Sequence, residues 1–181
     1  MNEMNTAIKE VLLSEKELDL KVKELGMKIS KDYEGEEVLL LCILKGGVVF
    51  MSDLARAISI PVSMDFMAVS SYGSSATSSG VVRILKDLGQ SIEGKNIIIV
   101  EDIIDSGLTL NYLVSYLKAR GPKSVEICTI MDKPDRREVE VEIKYQGFIV
   151  PNEFLVGYGL DYAEKYRNLP FVGILREEVY K

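Results

Sequence analysis

The densest chemistry in the chain lies between Glu101 and Thr109, where the apolar stretch Ile97 to Val100 runs into Glu-Asp-Ile-Ile-Asp-Ser-Gly-Leu-Thr. Asp105, Ser106, Gly107, Leu108 and Thr109 bring a carboxylate, two hydroxyls and a glycine directly ahead of Leu110, Leu113, Val114 and Leu117, whose spacing predicts an amphipathic helix. The first amides of a helix lack intrahelical partners and carry the positive end of its dipole, so such a turn suits a monophosphate. Ordinary N-capping by Asp105 or Ser106 is the simpler explanation of the turn, but it leaves Glu101 and Asp102 unexplained. Carboxylates beside a phosphate cradle repel a polyphosphate unless they meet neutral hydroxyls or act through a divalent cation. A ribose carrying a phosphate and a magnesium-bound pyrophosphate meets that condition.

Two other strand ends carry polar groups. Lys45-Gly46-Gly47 follows the apolar run Val38 to Leu44, and Asp132-Lys133 follows Val125 to Met131. In open α/β sheets ligands collect beyond the carboxyl ends of the strands, so all three places are expected to face one crevice. A lone loop lysine is ordinarily solvated, and Lys133 gains no role from its own chemistry. The chain has neither the G-x-x-x-x-G-K-[ST] pattern of a P-loop nor a dinucleotide G-x-G-x-x-G fingerprint. It has no histidine at all, which removes imidazole bases, Ser-His-Asp and Cys-His mechanisms and histidine-ligated zinc. Proton transfer falls to Asp, Glu, Lys or Tyr.

The elements that must position these groups alternate. Ser14 and Glu17 form a capping box ahead of Leu18, Val22, Leu25 and Ile29, predicting a helix over Glu15 to Asp32. Val38 to Leu44 is a strand buried on both faces, Val48 to Ile58 is helical, and Val62 to Val69 is a strand beyond Pro61. Residues 70 to 80, SSYGSSATSSG, cannot bury much apolar area and read as a mobile loop, or otherwise as a passive hairpin connection. Ile97 to Val100, the helix after Thr109 and Val125 to Met131 complete a strand-helix-strand unit with a right-handed parallel crossover. The expected fold class is α/β, an open, mostly parallel twisted sheet flanked by helices on both faces.

At 181 residues, with 47% apolar and 28% charged residues, the chain fits a single domain. The net charge of -6 without a basic run opposes nucleic-acid binding. No stretch approaches the ~18 apolar residues of a membrane span, so the expectation is a cytoplasmic protein with no membrane partner. Cys42 and Cys128 sit in apolar runs without a second cysteine at ligand spacing and read as buried hydrophobes.

VEDIIDSGLT resembles the phosphoribosyl pyrophosphate signature of type I phosphoribosyltransferases. In order, LKGG, SSYG, VEDIIDSGLT, MDKP, FIVPNEFLVGYGLDY and YRNLP are similar to the hypoxanthine-guanine branch of that family, from Leu44 to Pro170. The resemblance implies a core over about residues 36 to 150 and a small hood from about 1 to 20 and 151 to 181. It implies that Lys45 and Gly46 bind pyrophosphate in a turn with a cis non-proline bond. Glu101 and Asp102 hold the ribose hydroxyls, residues 105 to 109 bind the 5′-phosphate, and Asp105 is the general base near the purine N7. Lys133 donates to the purine O6, Phe154 stacks on the base, and Leu155 meets its exocyclic edge through backbone. Arg167 reaches pyrophosphate, and Ser71 and Tyr72 belong to a loop that closes over the site. The metal set is Glu101, Asp102 and Asp161, the cofactor magnesium (Mg2+). The implied partners are phosphoribosyl pyrophosphate and a 6-oxopurine base, in a homodimer or homotetramer. Ser106 and Leu155 depart from the threonine and valine frequent in the family, which bears on fine base preference. The alternatives are a transferase for xanthine or a pyrimidine, a regulatory protein that binds phosphoribosyl pyrophosphate together with RNA or DNA, and a binding module without catalysis.

Overall fold

A computed structural model of the chain describes residues 6 to 71 and 82 to 181. Tyr72 and most of the loop expected over residues 70 to 80 lie outside the described residues. The central sheet has six strands in the order β4-β3-β2-β5-β6-β7. These are β2 (Val38–Leu44), β3 (Val62–Ser71), β4 (Val82–Lys86), β5 (Asn96–Ile104), β6 (Ser124–Asp132) and β7 (Tyr145–Ile149). All neighbours pair in parallel except β4, which runs antiparallel to β3 at one edge.

Both faces of the inner strands are buried, as their unbroken apolar sequence requires. Leu40 and Cys42 point to one face and Leu39, Leu41 and Ile43 to the other. The first face is covered by α1 (Glu15–Asp32) and α2 (Val48–Ala57), which set Leu18, Val22, Leu25, Phe50, Met51 and Leu54 against the sheet. The second is covered by α3 (Leu108–Lys118) through Leu110, Leu113 and Leu117. The Ser14–Glu17 capping box starts α1, with the Ser14 amide donating to Glu17 Oε2 at 2.8 Å. The fold is the mostly parallel, helix-flanked α/β sheet that the apolar runs imply. No helix among the described residues is long and apolar enough to cross a membrane.

A second, three-stranded sheet has the order β1-β9-β8, with β1 (Ile8–Leu13), β8 (Leu155–Val156) and β9 (Val172–Leu175). It joins the two ends of the chain, Ile8 pairing with Leu175 and Leu13 with Val172. A short α4 (Glu177–Tyr180) follows. Two boundaries move in ways that matter for the site. β5 extends to Ile104 and β6 to Asp132, so Glu101, Asp102 and Asp132 are strand residues and not loop residues beyond the strand ends.

Candidate active site

Strand alternation separates the two acids of β5. Asp102 is buried, and its Oδ1 accepts the Ile103 amide at 2.8 Å. Glu101 is half-buried as a residue, yet its Oε2 is sealed from solvent and has no hydrogen-bond partner. Burial, and secondarily the Asp102 charge, pushes Glu101 well above the usual carboxylate range. Burial likewise lifts Asp102 to about 6, partly offset by the backbone amides and by Arg167. An orphaned buried carboxylate oxygen is costly to keep unless a ligand completes it.

The turn after β5 leads into α3 through Gly107, whose φ of 83° lies in the left-handed region that glycine enters without penalty. Gly107 is the N-cap and offers no side-chain capping bond. Ser106 Oγ, one residue earlier, accepts the Leu108 amide at 3.4 Å. Ser106 thus satisfies the first helical amide, and neither it nor Asp105 caps those that follow. The first intrahelical bond is Asn111 to the Gly107 carbonyl, so the amides of Thr109 and Leu110 have no intrahelical acceptor. Thr109, Leu110, Gly107, Ser106, Asp105 and Glu101 all line one cleft of about 300 Å³.

The end of β2 closes this cleft. The Leu44–Lys45 peptide is cis, as the resemblance implies. A Cβ on Gly46 would run into the Asp102 carboxylate, so the chain passes the acid only because residue 46 has no side chain. The Gly46 carbonyl lies against Gly159, whose amide and carbonyl both bond Arg167. Arg167 pairs with Asp161 at 2.7 Å, and Lys45 reaches Glu164 at 3.0 Å. Lys45, Gly46, Asp102, Asp161 and Arg167 thus form one charged corner.

The end of β6 supplies the other wall. Lys133 is buried; its amide bonds the Ile104 carbonyl at 2.9 Å and its Nζ donates to the Glu153 carbonyl at 3.0 Å. Burial pulls its ammonium below the ordinary lysine value, with the nearby Asp105 charge opposing. Asp105 Oδ1 accepts Arg136 Nε at 3.1 Å. Phe154 is 36% exposed, stacks on Tyr180 at 4.8 Å between centroids and meets Tyr162 edge to face. Leu155, buried, continues into β8.

Residues 10–163 match the model of the phosphoribosyl transferase domain. The chain is 52% identical over 180 residues to the hypoxanthine-guanine phosphoribosyltransferase of Mycobacterium tuberculosis, covering 96% of this chain and 89% of that protein. The chain belongs to the phosphoribosyltransferase family, in its hypoxanthine-guanine branch. The chain is also 54% identical over 177 residues to the Bifunctional protein TilS/HprT of Listeria monocytogenes, covering 98% of this chain and 27% of that longer protein. A crystal structure of a hypoxanthine phosphoribosyltransferase from Staphylococcus aureus superposes with a TM-score of 0.97 at 49% identity, covering 99% of this chain and 98% of that one.

The structure brings Lys45, Gly46, Glu101, Asp102, residues 105 to 109 and Lys133 around the ends of β2, β5 and β6, with Arg167 bonded to Gly159 beside Gly46. Ser71 ends β3 opposite Val82. Glu101, Asp102 and Asp161 are hard oxygen donors, and the orphaned Glu101 Oε2 fits a magnesium-bearing ligand. Among the described residues no three such side chains converge to hold a metal by themselves, so most of its ligands would come from substrate and water. A larger cavity of about 810 Å³ lies between α1, α2 and residues 167 to 170. It touches Arg167 but contains neither the β5 acids nor the turn at residues 105 to 109; Glu101 and that turn line the smaller cleft. Cys42 is buried on β2, its thiol pushed up to about 12 by that burial. Sequence reading missed Arg136, Arg137 and Tyr180, since nothing local distinguishes a surface arginine or a terminal tyrosine from one that meets the site.

Proposed function

We propose that the protein transfers ribose 5-phosphate from phosphoribosyl pyrophosphate to N9 of hypoxanthine or guanine, releasing pyrophosphate. The observation that carries this reading is the join of β5 to α3, where Glu101, with its unpartnered buried Oε2, and the turn that leaves helix amides unpaired line one 300 Å³ cleft. In this reading the amides of the 105 to 109 turn bind the 5′-phosphate, and Glu101 and Asp102 hold the ribose hydroxyls. Glu101, Asp102 and Asp161 are the residues that would hold magnesium, which when bound neutralises charge on the leaving pyrophosphate. Lys45, the Gly46 backbone and Arg167 bind that group as the C1′–oxygen bond breaks and the N9–C1′ bond forms. Asp105 takes the proton from N7, the electron pair of that N–H bond returning to the purine ring. Arg136 occupies Asp105 Oδ1, and among the described residues nothing bonds Oδ2, the oxygen assigned to the proton.

Lys133 selects a 6-oxo group, because its buried ammonium, beside its bond to the Glu153 carbonyl, rewards a second acceptor and gains none from the amino group of adenine. Phe154 stacks on the purine and Leu155 reads its edge through backbone. Ser71 and Tyr72 belong to a segment that closes over the sugar centre and excludes water. The domain reading is a single unit, with the central sheet as core and the three-stranded sheet in the hood. A cytoplasmic homodimer or homotetramer completes the proposal, checked by sedimentation of the purified protein. The deciding test is a spectrophotometric assay with each free base, with and without magnesium. Turnover of hypoxanthine and guanine that needs magnesium is expected. Preference for xanthine or a pyrimidine would replace the base assignment, and no turnover of any base would end the reading.

A further inference from the structure

We propose that Arg137 is a positioning residue that ties the phosphate-binding turn to the strand end presenting Lys133, so that the two substrates meet one connected frame. The inference rests on the reading of the 105 to 109 turn given above. Arg137 lies just past the 3₁₀ turn Pro134–Arg136, with its side chain 16% exposed against an Asp132 side chain 7% exposed. Its Nη2 donates to Asp132 Oδ1, while Gln146 Nε2 donates to Oδ2 of the same carboxylate at 2.7 Å. Its Nε donates in another direction, to the Asp105 carbonyl at 3.2 Å.

The next two residues continue the grip. The amides of Glu138 and Val139 both donate to the Ser106 carbonyl, at 2.9 and 3.2 Å. A Cβ on Gly107 would come within 2.6 Å of the Val139 carbonyl and 3.1 Å of Arg137 Cδ. The carbonyls of Asp105 and Ser106 are therefore committed to residues 137 to 139. A carbonyl so committed is not turned toward a bound phosphate, which it would repel. Through Asp132, the same guanidinium is anchored one residue before Lys133, whose amide in turn bonds Ile104 at 2.9 Å. The fork geometry of arginine is what lets one side chain hold two acceptors that point differently. A lysine offers a single ammonium on a flexible stem.

Two variants test this. Arg137→Lys keeps the charge and loses the fork. The double variant Asp132→Asn with Arg137→Met removes the pair without stranding a buried carboxylate. The readouts are KM for phosphoribosyl pyrophosphate, KM for hypoxanthine, kcat, the melting temperature, and amide hydrogen exchange. In both variants KM for phosphoribosyl pyrophosphate is expected to rise by about tenfold or more, the scale of a misplaced binding group. Exchange over residues 105 to 110 should quicken while that of Ile97 to Val100 stays at the parent rate. If the melting temperature falls but KM and turn exchange match the parent, Arg137 serves only the fold and the proposal is overturned. Should the parent protein show no transferase activity, the function reading fails, and the exchange measurement still judges Arg137: unchanged exchange overturns it.

Discussion

Gly46 and Asp102 occupy adjoining space so closely that a methyl group on the glycine would coincide with the acid's carboxylate. One comes from the end of β2 and the other from β5, neighbours in the sheet that pair from Val38–Asn96 to Cys42–Val100. Gly46→Ala should therefore push Asp102 out of place. The expected cost is about 1–3 kcal/mol of stability from overpacking, together with about 10²-fold in kcat/KM from displacement of the acid. Steady-state kinetics beside a denaturant titration measures both. An alanine variant with parental kinetics would show that the acid's position is not needed.

Asp105→Asn should lower turnover by about 10²-fold or more, the usual scale for loss of a general base, with the fold kept. Its carboxylate meets Arg136 near the surface, where the pair is 53% and 46% exposed, so stability has little to lose. Turnover within about threefold of the parent would remove Asp105 from the proton transfer.

Lys133→Ala should weaken use of hypoxanthine and leave binding of phosphoribosyl pyrophosphate near the parent level. The lysine bonds Glu153 and Ile104 and touches no group of the phosphate turn in these bonds. Separate titrations of the two substrates distinguish the cases. Equal losses for both would refute the O6 assignment.

The ligand-free protein should lose stability as pH rises from about 4 to about 6. Folding lifts the Asp102 carboxyl from its ordinary value of 3.8 to about 6, so within that window the folded chain binds more protons than the unfolded one. Stability then falls with pH, by roughly 3 kcal/mol across the full shift. Above that window the Asp102 cost is complete, and any further fall comes from Glu101, which burial also holds above the carboxylate range. Asp102→Asn carries no such cost and should gain on the parent by that order between pH 4 and pH 7 in urea unfolding. A gap that stays constant with pH would show that Asp102 is not desolvated as its burial implies.

Much of the core was legible because its information is local. The runs Val38–Leu44 and Ile97–Val100 are apolar at every position, which only a strand covered on both faces tolerates. The Ser14–Glu17 box and the i, i+3, i+4, i+7 spacing after Thr109 mark helix starts within a single turn of chain. What was illegible had distant partners. Ile8–Leu13 shows no clean alternation, and its pairing with Val172–Leu175 shifts register twice, so it becomes a strand only through a segment at the other end of the chain. The ends of β5 and β6 were misplaced because polar residues there look like loop until their burial is known.

The sequence by itself determined the kinds of group available: paired acids, a glycine turn opening a helix, a lysine after a strand, and no histidine. It also determined the order of strands and helices that delivers them, since side-chain period and turn chemistry act over a few residues. Only the tertiary structure decided that Gly46 fits against Asp102, that Arg137 reaches the Asp105 carbonyl, and that Tyr180 stacks on Phe154. Those contacts join residues far apart in the chain, and their existence depends on sheet order and packing, which no local spacing records.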